Sequence, residues 1–293
     1  HTMSNLPKTA EIVIIGGGVM GASAAYHLAQ RGVKNIVLLE KESHFGTGAT
    51  GRCAGGVRYQ FSTEVNVKLS MQSLPMIERF KEELGQDVSY RKCGYLLVAT
   101  NEQEVKEFKH NVAMQNQLGV QTEFLSGDEV RRRLPLMRFD DAIAGTFNQK
   151  DGTVDPNSVV MGYVNAAQKM GVTALTGAEV IGVTVSGGEV RSVKTNLGEI
   201  EARTVLNAAG PWSGLIGAMA GVRIPVTPLR RQMFTTNPLK EVPEDFPFVI
   251  DFAKSLYFHR EGEGLLIGMS NKNEKPGFDQ SVDEDFELVN LEA

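Results

Sequence analysis

Cysteine is nearly missing from this sequence: Cys53 and Cys93 are the only two in 293 residues, and they lie far apart. That excludes a disulfide scaffold and fits a reducing compartment, so the cytoplasm is the expected location. With only five histidines to add, no cysteine–histidine spacing of the kind that holds a metal occurs, and no metal ligands are expected. Long apolar runs are missing too. No stretch reaches the length of a membrane span, and the N-terminus lacks a signal-peptide pattern. His1-Thr2 ahead of Met3 reads as the remnant of an expression tag. Nor is there an excess of positive charge: the net charge is −5, so neither nucleic acid nor an anionic membrane is an expected partner. The one basic run, Arg131-Arg132-Arg133, follows Asp128 and Glu129. Acids in a first helical turn and cations in a last one describe a dipole-matched, solvated helix.

Glycine, by contrast, is abundant and concentrated. In EIVIIGGGVMGASAAYHLAQRGVKNIVLLE, residues 11–40, a β-branched run over Ile12–Ile15 breaks at Gly16-Gly17-Gly18. A helical pattern with Ala22, Ala25, Leu28 and Ala29 follows, Gly32 stops it, and Asn35–Leu39 reads as a second buried strand ending at Glu40. Gly16-x-Gly18-x-x-Gly21 therefore sits at the strand-to-helix turn of a βαβ unit, the placement that binds a dinucleotide. Gly16 permits the tight turn, Gly18 the approach of a pyrophosphate, and Gly21 the close packing of helix on sheet. Val19 and Met20 open the helix, whose free N–H groups face the phosphates. Glu40 is placed to accept hydrogen bonds from a ribose and disfavours a 2′-phosphate. This unit alone does not separate FAD from NAD.

Residues 42–61 form a glycine-dense loop, followed by a helix from about Glu64 to Leu84 that Pro75 is expected to kink or divide. Cys93–Ala99 reads as a strand and Glu102–Gln117 as an exposed helix. A helix begins near Pro156 and runs through Lys169. Strands then recur at Thr173–Leu175, Glu179–Val185, Val190–Thr195 and Ile200–Leu206, read together as a β-meander. Gln232–Thr236, Phe248–Asp251, Ser255–Arg260 and Gly264–Gly268 read as strands of an antiparallel sheet. The fold class is α/β, α+β overall: a Rossmann-like dinucleotide domain with a meander, interleaved with a mainly antiparallel-sheet substrate domain. The expected spans are 4–90 with 145–222 for the first and 91–144 with 223–293 for the second. A continuous doubly wound NAD domain would need more βα alternation than residues 41–145 show, which favours FAD.

Several segments together resemble the D-amino-acid oxidase-like superfamily of FAD-dependent amine oxidoreductases, nearest the sarcosine oxidase β-subunit, sarcosine and dimethylglycine dehydrogenase and L-proline dehydrogenase group. They are GGGVMG at 16–21 with Glu40-Lys41, TGRCAGGVRYQF at 50–61, DGTVDP at 151–156, the meander with Val180, and LNAAGPWS at 206–213. The resemblance implies bound FAD. Val180 would meet the adenine, Ala209 and Gly210 would lie under the dinucleotide, and Trp212 would pack there or fill core. Thr50, Arg52, Cys53, Ala54 and Gly55 would run beside the flavin, with Cys53 a small packing residue. Arg58 would hold a substrate carboxylate by a two-point contact. Tyr257 would line the pocket, and His259, on the same face of its strand, is the candidate general base.

The implied reaction is oxidation of a secondary or primary amino acid, sarcosine-, dimethylglycine- or proline-like, by hydride transfer to flavin N5. Leu266 stands where related oxidases carry an oxygen-activating lysine, so a dehydrogenase passing electrons to a partner subunit or electron-transfer protein is expected. Family members continue beyond residues 276–293, so a truncated chain is expected. The rival readings are an NAD-dependent dehydrogenase and a truncated, non-catalytic flavoprotein subunit that needs a partner.

Overall fold

The structure, a computed structural model, describes residues 6–292. The tag reading at His1-Thr2, residues 4 and 5 of the first domain span and Ala293 lie outside the described residues. β1 (Thr9–Ile15) and β2 (Ile36–Leu39) are parallel neighbours joined by α1 (Val19–Gln30). The pleat sends Ile14, Ile36 and Leu38 into one core and Val13, Ile15, Val37 and Leu39 into another on the opposite face. Burial on both faces is what continuous apolar parallel strands require. The residues of α1 buried against that sheet are small: Gly21, Ala22 and Ala25.

β3 (Gly56–Val57) precedes α2 (Glu64–Glu78) and α3 (Phe80–Leu84). Pro75 is carried inside α2, and the division falls at Arg79 instead, whose N–H still reaches the Pro75 carbonyl. β4 (Tyr95–Ala99), α4 (Glu102–Gln117), β5 (Glu123–Ser126), α5 (Gly127–Arg133) and β6 (Ala144–Asn148) follow. α4 is not the exposed helix expected of its polar sequence. Val105, Phe108, Val112 and Gln115, spaced along one face, are buried. α5 carries a Ser126–Glu129 capping box. Its run of arginines is only partly solvated: Arg131 donates to the Phe139 and Ala142 carbonyls, and Arg133 lies 3.9 Å over the Phe147 ring.

β7 (Gly152–Thr153) pairs with β3 and leads into α6 (Pro156–Lys169), where Asp155 accepts from the Asn157 N–H as a cap. β8 (Thr173–Leu175), β9 (Val180–Ser186), β10 (Glu189–Thr195) and β11 (Gly198–Asn207) complete the first sheet, in the order β8-β2-β1-β11-β10-β9. β8 is not part of the meander. It lies parallel to β2 at the opposite edge, because the helix before it, α6, makes a crossover beside α1. The antiparallel meander is β9 to β11 alone.

A 3-10 turn at Gly210–Trp212 runs into α7 (Ser213–Met219). β12 (Gln232–Thr235), β13 (Phe248–Asp251), β14 (Leu256–Glu261) and β15 (Gly264–Met269) join the earlier strands in a second sheet, ordered β12-β15-β14-β13-β4-β6-β5, before α8 (Glu284–Glu292) closes the described chain. One pair in this sheet, β13 with β4, is parallel and the rest are antiparallel. β6 is bonded to β4 and β5. The expected start of the second piece of the first domain at 145 falls inside this strand, which belongs to the second sheet. Among the described residues no helix is long and apolar enough to cross a membrane.

Candidate active site

The βαβ turn opens on a cavity of about 680 Å³. Gly16, with φ +112, has left-handed geometry, and a Cβ there would lie 2.3 Å from the Ala208 carbonyl oxygen. Gly18, the N-cap of α1, has no side chain of its own to bond the helix N–H groups, and the start of the helix borders the cavity. Thr50 Oγ1 accepts from the Val19 N–H at 3.1 Å, tying the glycine-dense loop to the helix start. The Glu40 carboxylate accepts from the Gly17 N–H at 2.7 Å and from the Glu42 N–H at 2.9 Å. Each of its oxygens keeps a lone pair for a ribose hydroxyl.

Gly16, Gly18, Val19, Met20, Glu40, Lys41, Thr50, Arg52, Val180, Ala209, Gly210 and Trp212 all border this cavity. Residues far apart in sequence thus converge on one space, and its lining fits a dinucleotide: helix N–H groups suit phosphates, a carboxylate suits ribose hydroxyls, and Val180 adds apolar surface. Gly21 stands behind the turn, where a Cβ would lie 1.9 Å from the Gly16 carbonyl oxygen. Trp212 belongs to the cavity mouth and not to the core. Lys41 Nζ lies 3.7 Å over its ring, and Phe278 stacks on it at 5.8 Å. Gln280, which sequence reasoning did not single out, also lines the cavity and accepts from Arg52. No local signal marks it; 228 residues separate that pair.

The loop then passes into a second cavity of about 490 Å³, lined by Cys53, Ala54, Gly55, Arg58, Phe61, Tyr95, Phe248 and Tyr257 among others. Gly55 has φ +66, and a Cβ would lie 2.4 Å from the Val154 carbonyl oxygen, so a larger residue would push the loop off its support. Cys53 is exposed on the loop, where it borders the cavity. Arg58 is half-buried, with its guanidinium 4.7 Å over the Phe61 ring and 5.7 Å from that of Tyr95. It makes no ion pair among the described residues. Tyr95 stacks on Phe248 at 4.2 Å, and Phe248 on Tyr257 at 6.0 Å. Burial pushes the phenol of Tyr257 up, which keeps this wall uncharged.

His259 does share the face of Tyr257, as the strand period requires, but it does not reach the cavity. It is 1% exposed and stacks on Phe248 at 4.7 Å. Burial pushes its imidazole pKa down, and its Nδ1 is 2.8 Å from the Arg260 carbonyl oxygen. A buried imidazole that is not among the cavity's lining residues is not placed there to take a proton from a substrate, so the general-base role is not carried forward. Sequence alone could not show this, because Phe248 comes from a neighbouring strand.

A third space, of about 300 Å³, shares Cys53, Ala54 and Gly55 with the second and is lined by Leu266, Arg91, Asp155 and Glu261. Leu266 is 8% exposed. Arg91, the cation among these lining residues, is tethered by its Nη2 to the Arg260 carbonyl at 2.7 Å and to Thr153 Oγ1 at 3.3 Å.

A model of the DAO family, described as FAD dependent oxidoreductase, matches residues 11–293. Mitochondrial dimethylglycine dehydrogenase of Rattus norvegicus is 34% identical over 270 residues, covering 91% of this chain and 31% of that protein. Mitochondrial sarcosine dehydrogenase of Mus musculus is 31% identical over 287 residues, covering 96% of this chain and 31% of that one. The chain thus spans about a third of these relatives' length. The crystal structure of L-proline dehydrogenase from P. horikoshii superposes with a TM-score of 0.89 at 34% identity, covering 98% of this chain and 76% of the other. With the glycine turn, the Glu40 carboxylate beside it and the second sheet all in place, the chain belongs to the DAO family of FAD-dependent oxidoreductases.

Proposed function

We propose that this protein, with FAD in the glycine-turn cavity, oxidises a small amino acid or N-methyl amino acid at the carbon beside nitrogen. The observation that carries this reading is Arg58. It is the one cation among the lining residues of an otherwise apolar and aromatic cavity, and that cavity continues the loop that borders the dinucleotide space. A guanidinium in such surroundings suits a carboxylate, which it can grip with two parallel hydrogen bonds. Bound FAD supplies the electron sink.

The chain's own residues bind and orient. Arg58 fixes the carboxylate, and Tyr95, Phe248 and Tyr257 exclude water from the amine end. A low-polarity wall favours the neutral amine, so no side-chain base is needed to prepare it. Fixing a reactant in one orientation is itself a large part of the rate. The similarity to dimethylglycine, sarcosine and L-proline dehydrogenases supports this substrate class. Reduction of an artificial dye by the flavin-loaded protein tests it. Sarcosine, dimethylglycine or L-proline should drive the reaction and a 2-hydroxy acid should not; the reverse preference would sink the proposal.

Leu266 sets the expected fate of the electrons. Oxygen reduction needs a positive charge to stabilise the anion formed at the first electron transfer. Leu266 offers none, and Arg91 beside it is tethered by hydrogen bonds. The reduced protein should therefore react slowly with oxygen and quickly with a dye or an electron-transfer protein. Leu266→Lys should speed reoxidation in air and leave reduction by substrate nearly unchanged. Fast reoxidation of the unaltered protein in stopped flow would contradict this and turn attention to Arg91. A partner subunit that accepts electrons, and a cytoplasmic location in keeping with the two free cysteines, complete the proposal.

A further inference from the structure

Behind Arg58 lies a set of buried polar groups that the reaction itself does not use. The N–H of Tyr59, the peptide that follows Arg58, donates to Asp151 Oδ1 at 2.6 Å. Gln60 Nε2 donates to Asp151 Oδ2 and to the Tyr95 carbonyl, both at 2.9 Å. Thr146 Oγ1 donates to Gln60 Oε1 at 2.7 Å. Gln115 Nε2 donates to the Phe61 carbonyl at 2.9 Å, and the Phe61 ring is the surface on which the guanidinium lies. Three successive residues after Arg58 are thus bolted to β4, β6, α4 and the turn before β7. Asp151 and Gln60 are almost wholly buried, at 0% and 3% exposure.

We propose that Asp151 is a positioning residue: through Tyr59 and Gln60 it fixes the peptide plane from which Arg58 projects, and so sets the geometry of the carboxylate grip. This rests on the assignment of Arg58 to the substrate carboxylate. Two features argue for more than a fold contact. The bond to Tyr59 N–H falls on the peptide that determines the ψ of Arg58, so its loss lets the guanidinium swing while the sheet stays intact. The carboxylate is also an expensive choice for a purely structural clamp, because burial pushes its pKa up to about 7. Two N–H donors need an acceptor that is not itself a donor, and the carboxylate meets that need in its ionised form, above about pH 7. An amide at 151 has one acceptor oxygen for these two donors, so its own N–H would face either the Tyr59 N–H or Gln60 Nε2, and one of the two bonds would be lost.

The test measures binding to the flavin-loaded protein, from the change in its visible spectrum, of two unreactive ligands of one shape: furan-2-carboxylate and furan-2-carboxamide. Asp151→Asn should weaken the carboxylate about tenfold, the scale of one impaired charge-assisted contact, and leave the amide nearly unchanged. Thr146→Val, which removes only the hydroxyl that holds Gln60, should show a smaller loss of the same selective kind and serves if Asp151→Asn does not fold. Equal weakening of both ligands, or of neither, would overturn the inference and leave Asp151 a fold contact. Arg58→Lys run alongside separates the two ideas. If it too fails to discriminate between the ligands, the carboxylate assignment falls and the positioning role falls with it. If it discriminates while Asp151→Asn does not, only the positioning role is lost.

Discussion

Gly18→Val is expected to fold and to emerge from purification without flavin. Gly18 has φ −78, which any residue adopts, and an added Cβ would meet only Thr50 Oγ1, at 3.1 Å. The substitution therefore disturbs little within the protein. It does place a branched side chain where the backbone borders the dinucleotide cavity at the start of α1, the surface a pyrophosphate must approach closely. Gly21→Val makes the contrast: its Cβ would lie 1.9 Å from the Gly16 carbonyl oxygen, so that variant should fail at folding. Flavin content and thermal unfolding, measured together, separate the two failures. Wild-type flavin content in Gly18→Val would show that the dinucleotide does not lie over this turn.

Arg58→Lys is expected to penalise amino-acid substrates and spare amines that lack a carboxylate. One ammonium cannot reproduce a planar two-point contact. Losing a charge-assisted hydrogen bond costs about 1.5–3 kcal/mol, roughly one to two decades in kcat/KM. The comparison is L-proline against pyrrolidine, or sarcosine against dimethylamine, with a dye as acceptor. The aromatic wall of Tyr95, Phe248 and Tyr257 remains in the variant, so the amine end should be held as before. Equal losses for both members of a pair would assign Arg58 to the flavin or to the fold.

The parts of this site that sequence revealed are the parts governed by local rules. A β-branched run, a glycine turn and an alanine-faced helix have strong local geometry, and β1, α1 and β2 stand where their periodicity puts them. Glu40 follows from the same unit, since a residue just past a parallel strand must lie at the sheet's carboxyl edge. Tyr257 and His259 share a face because the strand period is two. What the period cannot supply is the neighbour: Phe248, from β13, lines the cavity and stacks on His259, which does not. The clamp on Arg58 was hidden for the same reason. Asp151 is 92 residues from Tyr59 in sequence, and in isolation DGTVDP reads as a turn before a helix. β8 deceived by length: three residues after α6 look like a first strand of the meander, while the crossover helix before them dictates parallel pairing with β2.

In the proposed enzyme one protein brings together a flavin and an arginine that selects carboxylates. The most direct measurement is anaerobic reduction of the flavin-loaded protein, followed by the loss of its visible flavin band. L-proline or sarcosine should bleach the band, pyrrolidine or dimethylamine should do so much more slowly, and NADH should leave it unchanged over the same interval. Bleaching by NADH with no response to any amino acid would contradict the account and favour a nicotinamide-linked enzyme built on the same βαβ turn.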